Sequence, residues 1–255
     1  MKWLELAATD FEEALQKSEG VALIPVGSIE IHGPHLPVGC DTLVAGKVTE
    51  MVAEREPVVV APVMAYTMAP VARLHPGGIS LPPELLVEHL QKVCDELARN
   101  GYNKIILVHA HGGNVAMHHM ILSATIDRAK PYSLYSIPPL AGAGEVIAKL
   151  KESDEYGHAC EVETSLALYV FPELCHMDRV KGKVYNRQRD LDVGPAATPV
   201  DWAANYPHYA VGDASKASAE KGEKIINAWV DTVVDVVRKV KKDNVVANIM
   251  ARFSG

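Results

Sequence analysis

The sequence predicts a three-layer α/β fold with a mainly parallel sheet, and three observations predict it. Short runs of branched apolar residues recur along the chain, stretches with helical apolar spacing lie between them, and no Ser/Gly-rich or single-charge linker divides the 255 residues. The whole of 1–255 therefore reads as one domain.

Val21 to Val26 (VALIPV), Val58 to Val63 (VVVAPV) and Lys104 to His109 (KIILVH) are the runs expected of core strands, because a strand covered on both faces has no polar side to show. A helix is predicted over Thr42 to Glu56 with Asp41 as its cap. Another is predicted over Pro83 to Asn100, where Leu86, Leu90, Val93 and Leu97 fall at three- and four-residue steps until Asn100-Gly101 ends the pattern. A helix from about Val115 to Ala129, a strand near Tyr132 to Ile137, a helix from about Glu161 to Phe171 and a long helix from Ser215 to about Lys242 complete the alternation. Segments 66–82 and 172–214 are rich in Pro, Gly and Asp with weak periodicity, which suits lids, subunit contacts or plain surface excursions.

Charge and composition narrow the function classes. With 25 Lys plus Arg against 32 Asp plus Glu, a net charge of -7 and a pI near 5.9, no global positive field exists to draw a phosphate backbone, so nucleic acid is not an expected partner. A hydrophobic fraction of 48% and a mean hydropathy of +0.03 exclude global disorder. The apolar runs fall well short of the roughly 20 residues that span a bilayer. The start, MKWLELAATDFEEAL, is acidic, so no membrane association is expected and a cytoplasmic location is. Cys40, Cys94, Cys160 and Cys175 form no C-x-x-C pair and read as free thiols. Neither a dinucleotide-binding G-x-G-x-x-G after a strand nor a P-loop occurs.

Polar residues gather where three core elements end: GSIEIHGPHLPVGCDT (Gly27 to Thr42) after the first strand, HAHGGN (His109 to Asn114) after the third, and HACEVETS (His158 to Ser165) at a late helix start. The carboxyl ends of adjacent strands form the ligand crevice of open α/β sheets, which makes the first two segments neighbours. Glu30 and His32, two apart, leave the same face of an extended segment, and Asp41 follows at a helix start. Two carboxylates and an imidazole on one lip form a metal half-site suited to zinc, manganese or iron, and a carboxylate can bridge two ions. His111 is the ligand expected from the opposite lip, with Gly112 and Gly113 allowing close backbone approach. Each residue has a plainer reading as well: Asp41 as a helix cap, Glu30 as a solvated loop carboxylate, and Glu161 and Glu163 as acids favoured by the helix dipole. His35 and His109 are placed behind the ligands, as orienting or packing groups. Ser165 lacks any G-x-S-x-G setting, and Cys40 and Cys160 have no base or oxyanion hole to serve.

In this order, the three blocks resemble the creatininase (creatinine amidohydrolase) family, and HPGGISL (His75 to Leu81) looks like a degraded form of a fourth family motif. The resemblance spans about Gly27 to Tyr169. It implies a three-layer α/β/α sandwich, a homo-oligomer (often a hexamer), a small-molecule substrate and one or two divalent ions, commonly zinc, manganese or iron. By matching position it makes Glu30, His32, Asp41 and His111 ligands, with Asp41 bridging, and His158 the catalytic histidine. Creatinine-hydrolysing members carry a Glu two residues after the third-strand His, where this chain has Gly113. The last ligand is then expected to be Glu163, with Glu161 as competitor or general base. Creatininases proper also stack a ring on tryptophans before the catalytic His, and residues 141–157 contain none, which points away from creatinine itself. Arg73, Lys183, Arg187 and Arg189 are candidates to hold an anionic substrate from the irregular segments.

The reading that follows is a metal-dependent hydrolase of a non-peptide C–N bond in a cyclic amide or formamide. Two alternatives remain: metal-dependent ring opening of a cyclic diketone derived from a polyol, and a catalytically silent oligomer that binds a small ligand.

Overall fold

The computed structural model describes residues 1–127, 130–188 and 191–253. At its centre a parallel sheet in the order β2-β1-β3-β4 is built from β1 (Val21–Val26), β2 (Val59–Val60), β3 (Lys104–His109) and β4 (Ser133–Ile137). In chain order the helices are α1 (Phe11–Ser18), α2 (Cys40–Arg55), α3 (Pro83–Arg99), α4 (Asn114–Asp127), α5 (Gly144–Leu150), α6 (Glu161–Val170), α7 (Asp201–Asn205), α8 (Ala219–Lys242) and α9 (Val245–Met250). Among the described residues no helix is long and apolar enough to cross a membrane.

The unbroken apolar character of β1 and β3 has a direct cause, since successive side chains enter two different cores. Val21 and Leu23 of β1 join Ile106 and Val108 of β3 in a core closed by α2, α5, α6 and α8. Ala22, Ile24 and Val26 join Ile105 and Leu107 in a second core under α1, α3 and α4. Helices thus cover both faces of the sheet, and the three-layer expectation holds.

Several boundaries differ from the sequence reading. The expected strand over 58–63 pairs only at Val59 and Val60, because Pro25 and Pro62 lack the N–H groups a longer ladder needs. The chain stays alongside β1 through two bonds, Ala61 N–H to the Leu23 carbonyl at 2.8 Å and Met64 N–H to the Pro25 carbonyl at 2.9 Å. α2 begins at Cys40, so Asp41 lies within its first turn and does not cap it. α8 starts at Ala219, capped by the Ser218 hydroxyl that accepts from Lys221 N–H, while Ser215 donates to Asp213 in a preceding turn. α4 reaches Asp127, and the expected end at Ala129 lies outside the described residues. α1, α5, α7 and α9 are not anticipated by the sequence pattern. All four cysteines are free thiols, and Cys40, Cys94 and Cys160 are buried.

Candidate metal centre

β1 and β3 pair through Val26 and His109, so the segments that leave their carboxyl ends, 27–42 and 109–114, start side by side. Gly27 makes the first close approach: a Cβ there would stand 2.5 Å from Thr42 Cα, so the loop presses against the start of α2. Two hydroxyls lock this corner. Thr42 Oγ1 donates to the Ser28 carbonyl at 2.7 Å, and Ser28 Oγ donates to Asp41 Oδ2 at 2.7 Å. The start of α6 brings in the third segment. Ala159, fully buried, adopts left-handed backbone (φ 48) between His158 and the helix, and its N–H donates to Glu163 Oε2 at 2.6 Å. Left-handed alanine costs about 1–2 kcal/mol, and such strain is typical where a side chain must be aimed.

The three segments converge on one cluster. His111 Nδ1 stands 2.9 Å from both Glu30 Oε1 and Asp41 Oδ2, and His32 Nε2 stands 3.1 Å from Asp41 Oδ1 and 3.8 Å from Glu163 Oε2. His158 Nδ1 lies 3.6 Å from Glu30 Oε1 and 3.8 Å from Glu163 Oε2. Three donor triplets result, Glu30-Asp41-His111, His32-Asp41-Glu163 and Glu30-His32-His158, each with its atoms within 4.8 Å of one another. Carbonyls fix two of the rings. His32 Nδ1–H donates to the Glu30 carbonyl at 3.2 Å, freeing Nε2 for the cluster, and His158 Nε2–H donates to the Ile31 carbonyl at 2.7 Å, freeing Nδ1. Donor atoms about 2 Å from a shared ion stand roughly 3 to 3.5 Å apart, close to the separations seen here. The mixed imidazole and carboxylate set suits zinc, manganese or iron, so the residues fit a divalent ion.

Burial and opposed charge shift the protonation of the cluster. Burial pulls His32 down, yet Asp41, then Glu163 and Glu30, outweigh it and lift this imidazole to about 10. Burial also opposes charge on His111, and Glu30 and Asp41 hold it well above the imidazole range. Asp41 ends well below the carboxylate range because His32 and His111 overcome its burial, and Glu30 is lowered likewise by His111 and His158. Glu163 goes the other way, raised to about 7 by burial that His32 only partly offsets. His158, deprived of water and facing His32, falls to about 4. A largely buried site holding this much opposed charge is one where a divalent ion can replace shared protons.

The other residues singled out from the sequence separate clearly. Glu161 is buried but turned from the cluster: its carboxylate accepts from Glu152 N–H and Ser153 N–H and pairs with Lys221 Nζ at 2.6 Å. That placement does not suit a general base or a metal ligand, because every partner it meets is a structural one. His35 bonds Thr164 Oγ1 at 2.8 Å, and His109 bonds Ser136 Oγ at 2.9 Å, both behind the cluster.

Above the cluster lies a cleft of about 580 Å³. Glu30, His111, His158 and Glu163 line it, together with Met68, Pro70 and Val71 from 66–82, and Tyr156, Trp202, Tyr206 and Val211. Both irregular segments therefore wall the site. Sequence reasoning does not place Trp202 here because it lies well beyond 141–157, yet its ring stands edge-on to His158 with centroids 5.2 Å apart. One signal points to it: a large aromatic in a Pro-interrupted stretch without apolar periodicity has no long helix or strand to carry it into the core. Of the proposed anion holders, Arg73, Lys183 and Arg187 do not line the cleft, and Arg189 lies outside the described residues.

Gly113 also lines the cleft, and a Cβ there would run into the His111 ring at Nε2. Gly113→Ala is thus expected to displace His111 and weaken metal binding by about 10- to 100-fold, the scale of losing an orienting contact. Equilibrium dialysis with metal analysis checks it, and an unchanged affinity would show that the His111 ring gives way to the added methyl without leaving its position in the cluster.

Comparison with known proteins agrees with this geometry. The family model described as Creatininase: Creatinine amidohydrolase matches residues 4–237. The chain is 29% identical over 245 residues to the 3-dehydro-scyllo-inosose hydrolase of Thermotoga maritima, covering 86% of this chain and 76% of that protein. It is also 29% identical over 255 residues to the creatinine amidohydrolase of Pseudomonas putida, covering 92% and 95%. A crystal structure of creatinine amidohydrolase (creatininase) superposes with a TM-score of 0.79 at 25% identity, covering 95% of this chain and 98% of that one. With the matched region embracing the sheet, its covering helices and all three polar segments, the chain belongs to the creatininase family, whose members are metal-dependent hydrolases.

Proposed function

We propose that this protein hydrolyses a non-peptide C–N bond in a small cyclic amide or formamide, with Glu30, His32, Asp41, His111 and Glu163 holding one or two divalent ions and His158 transferring the proton. The observation that carries the reading is Asp41, whose two oxygens face two different imidazoles and which alone joins the Glu30-Asp41-His111 and His32-Asp41-Glu163 triplets. When bound, divalent ions supply a water of near-neutral pKa and a Lewis acid for the carbonyl oxygen. The chain's own residues do the rest. Ser28 orients Asp41, the Ile31 carbonyl holds His158 with Nδ1 toward the cluster, and a neutral His158 takes up a proton and returns it to the leaving nitrogen.

Removing divalent ions with a chelator is expected to abolish hydrolysis of lactam and formamide substrates, and re-addition of zinc, manganese or iron(II) to restore it. Full activity in protein shown to be metal-free would end the proposal. A second reading, ring opening of a cyclic diketone, draws support from the inosose hydrolase relative. Parallel assays on polyol-derived diketones and on lactams separate the two.

A further inference from the structure

We propose that Arg73 forms an anion-binding subsite beside the metal cleft, where it holds the negatively charged end of an elongated substrate whose scissile amide lies over the Glu30, Asp41 and Glu163 carboxylates. The inference rests on the hydrolase reading and adds a charged tail to the substrate class.

The 66–82 segment is a wall with two sides. Met68 and Pro70 line the cleft above the cluster, and the same two residues line a second depression of about 270 Å³. Arg73, Ser80, Leu81 and Pro82 belong to that depression. The two spaces therefore adjoin across one ridge. The first alone, at about 580 Å³, falls in the range that takes a drug-sized ligand. A molecule with its carbonyl at the floor and a chain laid over the ridge occupies both.

Arg73 is placed to meet such a chain. It stands on the 3-10 turn Pro70–Leu74, is exposed, and among the described residues has no hydrogen-bond or ion-pair partner. Arg187, by contrast, already donates to Asn205 Oδ1 at 2.9 Å. A guanidinium offers a planar fork of N–H donors that matches two oxygens of a carboxylate or phosphate. Apolar Leu81 and Pro82 displace water from one side of the depression, which strengthens an ion pair formed there. Ser80 Oγ accepts from Ala69 N–H at 3.0 Å, while its own proton reaches only the Leu81 carbonyl at 3.5 Å and can turn to a bound oxyanion.

Hydrogen bonds tie this wall to the loop that carries the metal-binding side chains. Ile79 N–H donates to the Ile29 carbonyl at 2.9 Å, next to Glu30, and Thr67 Oγ1 donates to the Gly27 carbonyl at 2.7 Å. Leu81 N–H donates to the Thr67 carbonyl at 2.9 Å and closes the segment on itself. A cation anchored in this way sets the length of substrate that reaches both ends at once.

The test uses 4-formamidobutanoate, 6-formamidohexanoate and 8-formamidooctanoate, their carboxamide counterparts, and 6-formamidohexyl phosphate. Affinity for the metal-loaded protein is read by ligand-observed NMR at neutral pH, and formate release is followed separately. At one chain length the carboxylate is expected to bind about ten-fold more tightly than its carboxamide, the scale of a charged hydrogen bond. Arg73→Gln should erase that advantage and Arg73→Lys keep part of it. Arg73→Gln should also raise KM for the carboxylate with kcat and metal content unchanged, the mark of a contact remote from the chemistry. The phosphate separates the two oxyanions, since the one the subsite is shaped for loses more affinity in Arg73→Gln. No advantage for either anion at any length, or an advantage that survives Arg73→Gln because the anion sits on the ions instead, would overturn the inference. Arg73-dependent binding without formate release would count against C–N hydrolysis and leave the subsite standing, whereas formate release indifferent to Arg73 would do the reverse.

Discussion

Asp41→Ala is expected to leave the protein folded, release both ions and lower hydrolysis by more than about 100-fold, beyond what losing an outer partner of a metal site costs. The reason is that Asp41 alone serves both triplets containing His111 and His32, each through a separate oxygen. Loss of Glu30 or Glu163 should do less, because each leaves one Asp41 triplet complete. The check is metal analysis by atomic emission beside steady-state rates. Two ions still bound to Asp41→Ala would remove Asp41 as the bridge, and one retained ion would show that the triplets fill independently.

The second large effect is on stability. In Glu161→Ala the Glu152 and Ser153 N–H groups and the Lys221 ammonium lose a carboxylate whose side chain is 1% exposed. Breaking a buried pair of this kind costs about 3–5 kcal/mol, and a fall in melting temperature on the order of 10 °C follows for a chain of this size. Metal content at a temperature where the variant is folded should match the parent. The opposite outcome, an unchanged melting temperature with lost activity, would return Glu161 to the chemistry. Lys221→Met should reproduce part of the destabilisation, since it removes the countercharge and leaves the carboxylate only the Glu152 and Ser153 N–H donors.

The contrast between Glu161 and Glu163 also shows where sequence reasoning stops. Two residues apart on a helix, they point roughly 200° away from each other, so one meets the cluster and the other meets α8, and the sequence holds nothing that says which. Asp41 is ambiguous for a related reason: an acid at a helix start reads equally as a cap or as a first-turn residue, and only the position of Gly39 and Cys40 in the chain path settles it. β1 and β3 are legible because burial on both faces leaves an unbroken apolar run. Trp202 and Tyr209 are not, because their positions depend on contacts between the two irregular segments, far apart in the chain and free of any repeat. The left-handed Ala159 carries no mark at all in its residue type.

The proposed ligands are drawn from three separate stretches, at Glu30 to Asp41, His111 and Glu163. A bound ion acts as a cross-link that the unfolded chain cannot retain with comparable strength, so occupancy feeds directly into the folding equilibrium. Scarcity of the ion is therefore expected to lower the melting temperature of the folded protein as well as its activity.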